Sequence, residues 1–121
     1  MKRSFKLGLV LVSAWLFATG AAAQEAAPGG DLEAGRYLAF SVCSECHVVA
    51  ADQPSPPDRK PPAPSFAEIA NQRGVSSASL HHFLLSTHRS FDAPPDMPRM
   101  WFTQKEADDV VTYILSLRTR R

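Results

Sequence analysis

Cysteine is scarce in this 121-residue chain: Cys43 and Cys46 are the two it has. A zinc site built on them would need two further good ligands, and no third cysteine exists to give one. His81, His82 and His88 could supply nitrogens, but none forms a second ligand pair at the usual short spacing. The chain also lacks a basic stripe, which removes the electrostatic footprint of a nucleic-acid binder. It lacks alternating apolar and polar runs, hairpin signals and internal repeats, so a β architecture is not expected. The longest apolar run, residues 7–19, is short for a membrane span. No acid–base pair or nucleophile constellation argues for turnover of a substrate, and an enzyme is not expected.

What is present begins with an export signal. Lys2, Arg3 and Lys6 form a basic start, residues 7–19 an apolar middle, and Ala21, Ala22 and Ala23 a small-residue cleavage site before Gln24. The pattern suits the Sec route and implies the bacterial periplasm. Residues 1–23 are thus read as a cleavable signal, 24–30 as a flexible lead-in, 31–118 as one domain and 119–121 as a basic tail. Cleavage removes three of the 13 basic residues and none of the 12 acidic ones, turning a formal charge of +1 into −2. No stable membrane span remains after cleavage. Arg118, Arg120 and Arg121 read as a solvated helix end.

The chemistry sits in Cys43-Ser44-Glu45-Cys46-His47, a C-x-x-C-H sequence. Two thiols on one face of a helical turn can add to the two vinyl groups on one edge of a porphyrin. His47 then lies under the ring and can offer a nitrogen to the iron. A thioredoxin-like dithiol expects a βαβ context, and no β-rich run flanks Cys43. A C-x-x-C disulfide would be strained and would stabilise little. The expected cofactor is one covalently attached haem c.

Around this turn the pattern predicts four helices. Asp31 is a plausible N-cap for the first, running to about Val42, with Gly35 and Ala39 leaving a shallow notch on one face. Residues 48–64 form a proline-rich loop. The capping box Ser65 to Glu68 opens a short helix to about Arg73, and Gly74 stops it. A third helix spans about 77–87. The box Thr103 to Glu106 starts the last, to about Leu117, with Ala107, Val110, Val111, Ile114 and Leu117 as its apolar stripe. Such short helices bury little core by themselves. A flat apolar cofactor would complete it.

An iron held by His47 has a sixth position. Met97, in Pro94-Pro95-Asp96-Met97-Pro98, lies fifty residues on in an irregular loop that the prolines stiffen. Its thioether would raise the reduction potential. Met100, beside Trp101 and Phe102, and His88 are the alternatives.

Together these residues resemble the class I c-type cytochromes, the small single-haem proteins of the bacterial periplasm, over about 31–117. Gly35 and Ala39 match the family's first helix, and Val110 and Tyr113 the aliphatic and aromatic that pack across its notch. Met97-Pro98 followed by Thr103 to Glu106 matches the family's ligand methionine and last-helix start, which favours Met97. Pro64-Ser65-Phe66 matches the step whose proline carbonyl accepts a hydrogen bond from the ligand histidine, with Pro62 as alternative. The resemblance implies an all-α fold of about four short helices around the haem, with the first and last packed together. It also implies His47/Met97 axial ligation and one-electron transfer between redox proteins, a donor dehydrogenase or reductase and an acceptor oxidase or reductase. The lysine ring of mitochondrial relatives is missing. A haem-based ligand sensor with an open or labile sixth site, and an electron-transfer subunit of an oxidoreductase complex, are the alternatives.

Overall fold

Four short helices make up most of the regular structure of the described residues, which are 29–86 and 100–119 of the computed structural model. No strand occurs among them. The export segment, His88 and Met97 lie outside the described residues.

Side-chain caps start the helices. The Asp31 carboxylate accepts the Ala34 N–H at 2.8 Å and opens α1 (Leu32–Leu38). Ser65 and Glu68 form a reciprocal box at α2 (Phe66–Asn71), and Thr103 and Glu106 do so at α4 (Gln104–Ser116). At α3 (Ser77–Ser86), the Ser76 and Ser79 hydroxyls accept each other's backbone N–H. Each cap supplies acceptors for amides that a helix start leaves unpaired. Gly74, at φ +80°, turns the chain out of α2, a conformation that costs a side-chain-bearing residue more.

The first helix differs from its expected form. It does not run on as α-helix to Val42 but widens into a π-helical turn over Ala39–Cys43, where the Ala39 N–H is shared between the carbonyls of Gly35 and Arg36. The wider turn takes in an extra residue. It leaves Ala39 fully buried in the core while Val42 and Cys43 reach a cavity wall.

Helices α1 and α4 form the most extensive helix pair. The backbone approaches α4 closely at two glycines, Gly35 within α1 and Gly30 just before it. A Cβ on Gly35 would stand 2.0 Å from the Asp109 carbonyl oxygen, and one on Gly30 would stand 2.2 Å from that of Asp108. The atoms nearest the Gly35 notch belong to Asp109 and Tyr113, and Val110 instead lines the cavity. The crossing is fastened by polar contacts: Asp109 Oδ1 accepts the Asp31 N–H at 2.7 Å, and Thr112 Oγ1 accepts that of Gly30 at 3.1 Å.

From α4 the stripe Ala107, Val110, Val111 and Ile114 faces inward, and Leu80 and Leu84 of α3 and Phe66 and Ala70 of α2 join it in one core. Arg118 is exposed, as a solvated helix end would be, but its guanidinium is engaged. It donates to the carbonyls of Ala70 in α2, at 3.0 Å, and of Val75 in the connector to α3, which ties the chain just past α4 to both.

Candidate functional site

The π turn after α1 and the helices α2, α3 and α4 contribute to the wall of one cavity of about 720 Å³. Cys43, Cys46 and His47 form part of it. Phe66 and Ile69 come from α2, Leu80, Phe83 and Leu84 from α3, and Val110 and Ile114 from α4. Met100 and Phe102 also line it.

Local backbone geometry gathers the three motif residues. The Cys43 carbonyl accepts the N–H of both Cys46, at 3.1 Å, and His47, at 2.9 Å. Residues three and four apart on such a turn share a face. His47 is buried, and its Nδ1 lies 2.7 Å from the carbonyl oxygen of Pro64. A carbonyl can only accept, so Nδ1 carries the proton there and Nε2 is left with its lone pair. The Phe66 ring stands 5.5 Å from the imidazole, centre to centre, at an interplanar angle of 57°.

The proline-rich loop is held to this turn. Arg59 N–H donates to the Glu45 carbonyl, Ala63 N–H to Cys46 and Phe66 N–H to Val48. Gln53 is the clamp that pattern reading missed. Its Oε1 accepts the Val49 N–H at 2.8 Å, and its Nε2 donates to the carbonyls of Ser55 and Ser44. Arg36 of α1 pairs with Asp52 at 2.9 Å across the same loop. The Tyr113 hydroxyl donates to the Val49 carbonyl at 2.9 Å, and burial pushes its phenol above the ordinary range, so it remains a donor.

Burial pushes the Cys43 thiol up to about 11, with the neighbouring Cys46 adding to the shift. A redox-active dithiol needs a depressed thiol. Cys43 is the opposite case. Among the described residues no group of three or more His, Cys, Asp or Glu is placed to hold a metal ion directly. His81 is engaged elsewhere, 3.1 Å from the Asp108 carboxylate, and neither His81 nor His82 lines the cavity.

The wall fits a porphyrin. It is mostly aliphatic and aromatic, with two thiols and an oriented imidazole on one side. The charged groups lining it, Arg59 and Arg73, are both cationic and suit the carboxylates that a haem carries. Met100 is the methionine that the described residues place on the wall. No helix among them is long and apolar enough to cross a membrane.

Comparisons with known proteins agree with this geometry. The family model for cytochrome c matches residues 32–118. The chain is 37% identical over 98 residues to cytochrome c-552 of Bradyrhizobium diazoefficiens, covering 81% of this chain and 86% of that protein. No solved structure gives a significant match. The protein therefore belongs to the cytochrome c family, an all-α electron-transfer protein that carries covalently attached haem c.

Proposed function

We propose that the chain is a periplasmic single-haem electron carrier, with Cys43 and Cys46 as the thioether attachments and His47 and Met97 as the axial ligands. The observation that carries the reading is the His47–Pro64 contact at the cavity wall. With Nδ1 bonded to the Pro64 carbonyl at 2.7 Å, Nε2 is the nitrogen available to the metal.

Bound haem supplies one-electron exchange between ferric and ferrous iron. The chain's own residues do the rest. Pro64 fixes the imidazole's tautomer and raises its basicity. Phe66, Leu80, Leu84 and Ile114 line the cavity and would exclude water from a haem held there, which would lower the local dielectric and so tune the potential. If His47 and Met97 both held the iron, no open site would be left there for a substrate, as a carrier rather than an enzyme requires. The partners are redox proteins, met in small transient encounters.

The export-type N-terminus and a bacterial relative support the periplasm as the location. The Met97-Pro98 pair supports Met97 as the distal ligand, and the place of Met100 on the cavity wall favours it as the second candidate. Single substitutions separate the two. Met97→Ala should remove the ferric iron–thioether absorption band and open the iron to added ligands, while Met100→Ala should keep both as in the parent. The reverse result would transfer the role to Met100. Loss in neither would end the methionine assignment.

A further inference from the structure

We propose, taking His47 as the iron ligand argued above, that Tyr113 is a positioning residue for the His47 imidazole, acting from the opposite helix through its hydroxyl. The chain leaves His47 through Val48 and Val49, and both carbonyls are claimed at long range. Val48 O accepts the Phe66 N–H at 2.9 Å, and Val49 O accepts the Tyr113 O–H at 2.9 Å. Tyr113 reaches the ligand by a second route as well. Its ring centre is 6.3 Å from that of Phe66, which in turn packs 5.5 Å from the imidazole. Arg36 of α1 donates to the Tyr113 oxygen at 3.4 Å, and Asp52, three residues past Val49, holds Arg36. The ligand loop is thereby anchored to α1 and α4 together.

Packing alone does not require the hydroxyl, since phenylalanine would fill the same space. What the hydroxyl adds is a partner for a carbonyl buried with Val49, which is fully inaccessible to solvent. Without a donor, that carbonyl must move toward water or remain unpaired at a cost. Either outcome loosens the segment that sets the distance between His47 Nδ1 and Pro64. A longer Nδ1–H···O contact makes the imidazole less basic, which disfavours the ferric state. The sign is fixed: loss of the hydroxyl raises the potential.

The test uses haem-loaded protein. Tyr113→Phe is compared with the parent and with Val111→Ala, which opens a core cavity away from the haem wall. Reduction potential and solvent exchange of the His47 Nδ1 proton are read beside thermal stability. Tyr113→Phe is expected to shift the ferric–ferrous equilibrium toward ferrous by at least about threefold and to speed Nδ1 exchange. Val111→Ala lowers stability and changes neither. Equal potentials and equal exchange in Tyr113→Phe and the parent would overturn the proposal and leave Tyr113 as packing. Should Tyr113→Phe yield no loaded protein, Arg36→Gln keeps the ring and hydroxyl and should give a smaller shift of the same sign, and no shift there would overturn it equally. A parent protein whose spectrum shows no histidine ligation would instead count against His47 as ligand, a separate failure.

Discussion

Asp109, on α4, accepts the backbone N–H of Asp31 through Oδ1 at 2.7 Å, although its side chain is only 4% exposed. The same carboxylate takes the Lys105 ammonium at 2.7 Å, and that lysine remains 74% exposed. One buried anion thus caps the start of α1 from the other helix. It keeps its charge because a solvated cation and an amide dipole both face it.

The Asp109 carboxyl is therefore held below the ordinary carboxylate range, first by Lys105 and then by the Asp31 amide. A depressed folded value contributes stability above the unfolded pKa, about 3.9, and loses it as pH falls through the folded value. Asp109→Ala should cost about 1–3 kcal/mol at neutral pH. Asp109→Asn, which keeps an acceptor for the Asp31 N–H, should cost less and flatten the acid limb below about pH 4. Denaturant midpoints measured from pH 7 down to pH 3 check both.

Gly35 has no space for a methyl group, since its Cβ would stand 2.0 Å from the Asp109 carbonyl oxygen. Gly35→Ala must push α1 and α4 apart despite alanine's better helix propensity. The expected loss is about 1–3 kcal/mol, of the size seen for overpacking. Stability equal to the parent in a denaturant titration would contradict the close crossing.

The crossing also shows what a sequence does and does not display. The capping boxes at Ser65 and Thr103, the stripe from Ala107 to Ile114 and the C-x-x-C-H turn are local patterns with fixed spacing, and they were legible. Gly35 was readable as a notch, but Gly30 looked like lead-in because its reason for being glycine, the Asp108 backbone, lies 78 residues away. Gln53 and Asp52 stand among prolines with no period, and their partners are a backbone amide, backbone carbonyls and a distant arginine. The π turn at Ala39–Cys43 takes in one extra residue, which apolar positions at mixed three- and four-residue steps do not register.

Arg118 illustrates the same limit and gives another prediction. Its guanidinium bonds the Ala70 and Val75 carbonyls, so the chain just past α4 holds the end of α2 and the connector that follows, beside the cavity. Arg118→Ala should lower stability by about 0.5–1.5 kcal/mol. Arg118→Lys should not restore it fully, because one ammonium cannot reproduce the fork that spans two carbonyls. Full rescue by lysine in thermal unfolding would reduce the contact to simple charge.

The central claim is that Cys43, Cys46 and His47 hold one haem covalently and by ligation. Its most direct test is intact mass with an absorption spectrum, on protein exported by a host that matures c-type haem. The parent should show a mass raised by one haem, resistant to denaturing extraction, with a low-spin spectrum. Cys43→Ala/Cys46→Ala should lose the mass increment. A parent of unmodified mass, despite a maturation system that loads a control cytochrome, would contradict it.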